Sequence, residues 1–280
     1  MERISGLIRP PRSVSIVGRR AGSVQGEWIS PKRGTPDTAI LYLHGGAFCS
    51  GSPATHRHLA GRISKQTGAV VFVPHYRLAP EHPFPAALED CIESYHSLLD
   101  AGFSPDRIII AGDSAGGNLT LVLLLYLRDN GMELPSAGVC LSPVTDLARG
   151  DEDTKRLDAE RAPMDPMIRL HFVAPMIDKY VGKHDPTEPL LSPLFADLRG
   201  LPPLLIQAGG DELLLTDARR FAGEAQRAGV DVTLRVYDGM WHVWQIFSPV
   251  LPEANTAVAE LAEFISHRAH RVNEVGHSSR

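Results

Sequence analysis

The chain has 280 residues, of which 43% are hydrophobic, and its formal net charge is −5. This length and composition suit one large globular domain, and nothing in them is typical of disorder or of a disulfide scaffold. Because the charges are mixed and form no basic stripe, nucleic acid is not an expected partner. Three scattered cysteines favour a reducing compartment, so we expect a cytoplasmic protein. No apolar run suits a signal peptide or a membrane span, and neither is expected.

Short apolar runs alternate with helical patterns, which predicts an α/β fold: a mostly parallel sheet with helices on both faces. In chain order, the expected strands cover residues 13–17, 24–29, 39–43, 69–73, 107–111, 137–141, 204–208 and 232–237. The expected helices cover residues 53–67, 86–99, 115–130 and 253–267.

The alternation stops between residues 146 and 195, where a helix is expected to start near Met167, behind Asp165-Pro166. A helical insertion between two strands of such a sheet is most simply a cap over the carboxyl edge, where these sheets bind ligands. The sequence therefore predicts a core of residues 1–145 and 196–280 with a cap of residues 146–195.

Residues 112–116 read Gly-Asp-Ser-Ala-Gly and match G-x-S-x-G between a predicted buried strand and an apolar helix. In that context a sharp turn lifts the serine to the sheet edge as a nucleophile, so Ser114 is the candidate. The turn leaves room only for small neighbours, which explains Gly112 and Gly116. A glycine-rich turn with an incidental serine is the alternative. A phosphate loop is excluded because no Lys-Ser or Lys-Thr pair follows the glycines.

The sequence His-Gly-Gly-Ala-Phe at residues 44–48 follows the predicted strand 39–43. An attacked ester carbonyl becomes an oxyanion, and backbone N–H groups must already face it. One donor is expected from Ala115, the residue after the nucleophile, and a second from the turn at Gly45, Gly46 and Ala47. A plain glycine turn is the alternative.

A serine hydroxyl needs a base, and histidine suits neutral pH best. Of 12 histidines, His242 lies just past the strand 232–237, where this fold class carries its base. His44 is expected to be structural because it belongs to the glycine turn. His56 and His58 are expected at the surface of an early helix.

The acid that orients the base is expected at the end of the preceding strand, where Asp211 follows residues 204–208. Glu212 and Asp217 are rivals, although Asp217 opens the next helix and is favoured there by the helix dipole alone. No metal site and no cofactor are expected, because no ligand spacing recurs.

Five motifs in order resemble the hormone-sensitive-lipase-like esterases, above all their microbial branch, over about residues 26–264. They are HGGAF at 44–48, HYRLAPEHPFPAALED at 75–90, GDSAGGN at 112–118, GDELLLTDA at 210–218 and GMWHVW at 239–244. The resemblance implies an α/β-hydrolase core with a helical cap and hydrolysis of short acyl esters through an acyl-enzyme. It assigns the catalytic triad to Ser114, Asp211 and His242, and the oxyanion donors to Gly46, Ala47 and Ala115. It also implies a homodimer formed through the sheet edge near the end of the chain.

The sequence departs from the family pattern at three places. Ala47 stands where the family has a third glycine, and His75 replaces the usual aspartate before Tyr-Arg-Leu-Ala-Pro-Glu. Only 43 residues precede His44, whereas relatives usually carry more cap sequence there. We therefore expect a short N-terminal cap contribution, about residues 1–22, and an unusually open acyl pocket.

Substrate contacts are expected from side chains beside the motifs or in the cap, with core packing as the alternative. These are Phe48, Asp113, Met167, Phe172, Met176, Trp241 and Trp244. A small-molecule ester with a short acyl chain is the expected substrate, because no long apolar groove is readable. Two other functions stay open: an amide- or peptide-directed serine hydrolase, and a non-catalytic small-molecule receptor on the same fold.

Overall fold

The computed structural model describes residues 8–149, 159–160 and 163–275, with side chains as far as residue 268. Its centre is an eight-stranded sheet in the order β1-β2-β4-β3-β5-β6-β7-β8. The strands are β1 Val14–Ala21, β2 Val24–Pro31, β3 Ala39–Leu43, β4 Val70–Pro74, β5 Ile108–Asp113, β6 Ala137–Leu141, β7 Leu204–Gly209 and β8 Val232–Tyr237. The β1–β2 and β2–β4 pairs are antiparallel, and every later pair is parallel. The predicted mostly parallel α/β sheet is confirmed.

Helices cover both faces of the sheet. They are α1 Pro53–Thr67, α2 Ala86–Asp100, α3 Ala115–Asp129, α4 Leu170–Val181, α5 Leu215–Arg227 and α6 Pro252–Val275. The bounds of β3, β6, β8 and α1 coincide with the predicted ranges. Local signals explain the agreement for α1: Ser52 and Thr55 form a capping box at its start, and Gly68 ends it with a φ of 73°.

Two apolar cores sandwich the sheet, one under α2, α3 and α5 and the other under α1 and α6. The strand β5 contributes to both, because Ile108 and Ile110 face one core while Ile109 and Ala111 face the other. This confirms the prediction of a strand buried on both faces, which is typical of the centre of a parallel sheet.

The N-terminal segment is part of the sheet and not of the cap. Val14–Ala21 forms β1, which pairs along its whole length with β2 through a tight turn at Gly22, whose φ is 59°. The expected cap contribution of residues 1–22 is therefore wrong for this strand, because the hairpin gives its backbone groups partners in β2. Residues 1–7 lie outside the described residues.

The predicted cap insertion, residues 146–195, is described except for residues 150–158 and 161–162. Its main described helix, α4, starts at Leu170 and not near Met167. The start is later because the Asp165 carboxylate accepts the N–H groups of Met167 and Ile168 in a separate turn, and Arg169 is extended.

The helix α1 turns its histidines inward. His58 is 3% exposed, and its Nε2 lies 2.7 Å from the carbonyl oxygen of Ile246. The expectation that His56 and His58 lie at the surface is wrong, because α1 packs its face against β2, β4 and α6. The helical period was readable from the sequence, but the elements that would cover this face were not.

The three cysteines, Cys49, Cys91 and Cys140, are free thiols. Within the described ranges, no helix combines the length and the apolar character that crossing a bilayer requires.

Candidate active site

The loops after β3, β5 and β8 meet at the carboxyl edge of the sheet, beside residues of the predicted cap. They enclose a cavity of about 190 Å³ between core and cap. The core side is lined by Gly46, Ala47, Phe48, Ser114, Ala115 and His242. The predicted nucleophile, the predicted oxyanion donors Gly46, Ala47 and Ala115, and the predicted base therefore all line one cavity.

Ser114 sits on the sharp turn between β5 and α3, with φ of 54° and ψ of −117°. This conformation is strained for a residue with a side chain, and such strain is typical of functional turns. A Cβ atom on Gly112 would collide with the carbonyl oxygen of Gly116, and one on Gly116 would collide with that of Leu43. The predicted need for small neighbours is confirmed.

The turn after β3 lines the cavity with residues in unusual backbone conformations. Its φ angles are 130° at Gly46, 51° at Ala47 and 60° at Phe48, and the Gly46 carbonyl accepts from Cys49 and Ser50. In the part of the chain that the structure describes, the N–H groups of Gly46, Ala47 and Ala115 have no hydrogen-bond partner. The left-handed φ at Ala47 costs on the order of 1 kcal/mol, which a third glycine would avoid.

Gly45 has a structural role besides the expected one. It is absent from the described lining of the cavity, and a Cβ atom there would collide with the Asp113 carboxylate. Gly45 is required for this close approach, and its role as an oxyanion donor stays a prediction.

Asp113 lies behind the nucleophile and not in the cavity. Its side chain is fully buried, accepts from Tyr42 Oη at 2.9 Å and pairs with His56 Nε2 at 3.3 Å. Burial raises the pKa of Asp113, but the charge and hydrogen bonds of His56 and Tyr42 outweigh it, and the pKa falls below its ordinary value. The expected substrate contact by Asp113 is wrong, because the strand end turns this side chain inward.

Glu212, and not Asp211, lies against His242. The Nδ1 of His242 is 4.0 Å from Oε2 of Glu212, and both side chains are buried. Among the described residues, Nδ1 of His242 and Oε1 of Glu212 have no hydrogen-bond partner. The Asp211 side chain makes no hydrogen bond or ion pair with any described residue, and its N–H donates to the Met240 carbonyl. The expected pairing of Asp211 with His242 is not formed.

Ser142 joins the Glu212 loop to the His242 loop. Its Oγ donates to Glu212 Oε2 at 2.6 Å and accepts from the N–H of Val243 at 3.1 Å. The residue was missed at the sequence level, although it follows β6 directly. A polar residue immediately after a buried parallel strand is a signal that could have found it.

Burial sets the electrostatics of the Glu212–His242 pair. It raises the pKa of Glu212 to about 8; the Ser142 hydroxyl and the Gly209 backbone oppose this, and the negative charges of Asp165 and Asp217 add to it. Burial also lowers the pKa of His242, although the charges of Asp165 and Asp113 oppose that shift. The imidazole is therefore neutral near neutral pH, the form that can accept a proton.

Three of the predicted substrate contacts line the cavity: Phe48, Met167 and Met176. Phe172 does not, because its side chain points to solvent and is 69% exposed. Its expected contact is wrong.

The two tryptophans of the His242 loop also lie away from the cavity. Trp244 is fully buried with its ring 5.0 Å from that of Tyr237, and Trp241 packs edge-on against Phe247 at 5.8 Å. Their expected substrate contacts are wrong, because both rings pack under α6 and support the loop.

No group of three or more His, Cys, Asp or Glu side chains among the described residues is arranged to hold a metal ion. What the cavity does hold together is a serine, an imidazole backed by a carboxylate, and unpaired amides. This donor set suits acyl transfer through a serine.

Comparison with known proteins agrees with this geometry. A family model described as the alpha/beta hydrolase fold matches residues 40–246. An acetyl-hydrolase of Streptomyces hygroscopicus is 42% identical over 94% of this chain and 85% of its own length. An esterase of Acinetobacter venetianus is 37% identical over 94% of this chain and 86% of its own length.

Solved structures of similar fold also belong to esterases and lipases. An esterase from the bacterial hormone-sensitive lipase family superposes with a TM-score of 0.91 at 43% identity, covering 96% of this chain and 89% of that one. A hormone-sensitive lipase from a metagenome library superposes with a TM-score of 0.91 at 38% identity, covering 96% and 89%. The chain therefore belongs to the alpha/beta-hydrolase-fold family, as a carboxylic ester hydrolase of the hormone-sensitive-lipase-like esterases.

Proposed function

We propose that this enzyme hydrolyses short-chain acyl esters through Ser114, His242 and Glu212, with a covalent acyl-enzyme intermediate. The observation that carries the proposal is that Ser114, His242 and three unpaired amides line one cavity. Glu212 replaces the predicted Asp211 as the orienting acid, because among the described carboxylates only that of Glu212 lies within 4.0 Å of a His242 ring nitrogen.

The reaction has two acyl-transfer steps. Ser114 Oγ attacks the ester carbonyl carbon while His242 takes its proton, and the resulting oxyanion accepts from the amides of Gly46, Ala47 and Ala115. The intermediate collapses, the bond to the alkoxy oxygen breaks, and His242 gives its proton to the leaving alcohol. A water molecule, deprotonated by His242, then attacks the acyl-enzyme and releases the acid and the free serine.

Glu212 stabilises the protonated imidazole in both steps. Its carboxylate lies on the Nδ1 side of His242, so the other ring nitrogen is left for proton transfer with Ser114. Ser142 holds this carboxylate from one side through its hydroxyl.

The cavity supports a small acyl group. Its volume of about 190 Å³ is below the range of drug-sized ligand pockets, roughly 300–1,000 Å³. On the cap side the lining includes the apolar Met167, Val173 and Met176 together with the charged Asp146 and Arg149. We expect kcat/KM on p-nitrophenyl esters to peak at acetate to butyrate and to fall steeply by octanoate.

The first test is Ser114→Ala with p-nitrophenyl butyrate. Loss of the nucleophile is expected to lower kcat on the order of 10⁴-fold or more, because the residual rate comes from binding and oxyanion stabilisation alone. Labelling by an organophosphonate should occur on Ser114 in the wild type and vanish in the variant. Wild-type turnover by Ser114→Ala would refute the proposal.

The second test separates two neighbouring carboxylates. Glu212→Gln keeps the shape of the side chain but not its charge, and kcat is expected to fall on the order of 10³-fold or more. Asp211→Asn is the matched control, and it should leave kcat close to that of the wild type. The reverse result would return the acid role to Asp211.

The other candidate functions make different predictions. A receptor on this fold would bind an ester without turnover and would show no phosphonate labelling. An amide-directed hydrolase would cleave aminoacyl arylamides with kcat/KM at least equal to that on matched esters. The esterase relatives and the intact Ser114 and His242 favour ester hydrolysis.

Homodimerisation through the edge strand β8 and a cytoplasmic location stay predictions. The strand β8 pairs with β7 alone and so has one open edge among the described residues, which supports the dimer. Light scattering of the purified protein would test it.

A further inference from the structure

The carboxylate of Asp165 bridges the cap and the catalytic core. It is fully buried, and its Oδ1 accepts from the N–H groups of Met167 at 2.9 Å and Ile168 at 3.4 Å. Its Oδ2 accepts from the N–H of Leu213, 48 positions along the chain, at 3.0 Å. One side chain therefore fixes a cap segment that lines the cavity and the loop that follows β7.

The bond to Leu213 lies beside the proposed acid. Glu212 sits between two anchored amides: the Asp211 N–H donates to the Met240 carbonyl at 2.9 Å, and the Leu213 N–H donates to Asp165. The first anchor ties the Gly210–Asp211 peptide, one unit before Glu212, to the His242 loop, and the second ties the Glu212–Leu213 peptide to the segment of Met167 and Ile168. The backbone is therefore restrained on both sides of Glu212, and on its C-terminal side the restraint is the bond to Asp165.

The Glu212 carboxylate needs this support. Its Oε1 has no hydrogen-bond partner among the described residues, and Oε2 is held by Ser142. The negative charge of Asp165 also helps burial to raise the pKa of Glu212.

We propose that Asp165 is a positioning residue, which holds Glu212 against His242 by tying the Glu212–Leu213 peptide to the seated cap. Asp165 touches neither substrate nor nucleophile in this role. The inference rests on the proposed role of Glu212. Catalysis then depends on the cap. Loss of the bond to Leu213 is expected to lower kcat, whereas loss of the bonds to Met167 and Ile168, which line the cavity, is expected to raise KM.

The test is a double-mutant cycle on kcat and KM for p-nitrophenyl butyrate. Asp165→Asn is nearly isosteric but cannot accept on both sides, and it is expected to lower kcat about tenfold or more, because small displacements of catalytic groups are costly. In a Glu212→Gln background the same substitution should lower kcat less than about twofold, since the group it positions is already disabled.

Asp185→Asn is the matched control. Asp185 also lies in the cap segment, and its Oδ1 accepts from the N–H of Thr187 at 2.9 Å, the same local turn as Asp165 with Met167. It is exposed and, among the described residues, has no bond to the core. Its kcat should match that of the wild type.

Two outcomes would overturn the inference. One is an Asp165→Asn enzyme with a lowered thermal midpoint but wild-type kcat per folded molecule. The other is an equal fold-loss in kcat with and without Glu212. If Glu212→Gln itself keeps wild-type kcat, the proposed function fails instead, so the two failures are distinguishable.

If Asp165→Asn does not fold, amide hydrogen exchange of the wild-type protein tests the inference instead. The amides of Met167 and Leu213 are expected to be protected by a similar factor, because one carboxylate holds both. Exchange of either amide at the rate of an unstructured chain would overturn the inference.

Discussion

Two buried carboxylates lie at the same edge of the sheet, and their surroundings differ. Asp113, on the nucleophile side, has an imidazole and a phenol as partners, and its pKa is lowered. Glu212, on the acid side, has a serine hydroxyl and the more distant ring of His242, and its pKa is raised to about 8.

The difference separates a structural charge from a functional one. A buried carboxylate with a close cation and full hydrogen bonding stabilises the loops that it joins. A buried carboxylate left partly unsatisfied gains most when a positive charge forms beside it, which is what proton transfer to His242 does. The comparison predicts opposite responses to substitution.

The largest expected effect is on stability at the nucleophile side. Asp113→Asn removes the charge partner of His56 and should lower the free energy of unfolding by about 3 kcal/mol. Tyr42→Phe is the control; it removes one neutral hydrogen bond to the same carboxylate and should cost about 1 kcal/mol. Chemical denaturation of both variants measures the losses. Equal losses would mean that the His56–Asp113 charge pair contributes nothing.

This stability has a defined pH window. The pKa of Asp113 is lowered from 3.8, so its contribution is present above that value and is lost as the pH falls through the folded pKa. Burial lowers the pKa of His56, but Asp113 outweighs it, and the pKa lies above 6.5; the contribution is lost as the pH rises through it. The Asp113→Asn loss should therefore be greatest between about pH 4 and 6.5.

The next effect is the pH dependence of catalysis. The proposed reaction needs ionised Glu212 and neutral His242, and the pKa of Glu212 is about 8. We expect kcat/KM to rise about tenfold per pH unit up to about pH 8 and then to level off. Ser142→Ala removes the hydrogen bond that lowers this pKa and should move the rise to higher pH. A rise centred below pH 6, or no response to Ser142→Ala, would contradict the proposed electrostatics.

The smallest effect is a gain in stability at the acid side. The folded pKa of Glu212 lies above 4.5, so its contribution to stability falls as the pH rises between 4.5 and about 8. Glu212→Gln does not titrate and should be more stable than the wild type at pH 8, by on the order of 1–2 kcal/mol. The gain should vanish near pH 5. If Glu212→Gln were instead less stable than the wild type at pH 8, Glu212 and Asp113 would not differ in their effect on stability.

Much of this protein was determined by local sequence. The strand β5, the tight turn around Ser114 and the glycine turn at residues 44–48 each depend on a few adjacent residues whose backbone requirements are readable in order. His242 could be predicted in the same way, because the base of this fold class follows the last strands and His242 is the histidine just past β8. The α/β sheet followed from buried apolar runs that alternate with helices.

The tertiary structure decided which side chain at each place does the chemistry. Asp211 and Glu212 are neighbours of the same charge, and only the fold shows which one turns toward His242. Likewise, Phe172 faces away from the cavity and His56 faces inward because of what packs on each helix face. A local motif specifies backbone path, whereas the direction of a side chain within a loop depends on contacts with residues far away in the chain.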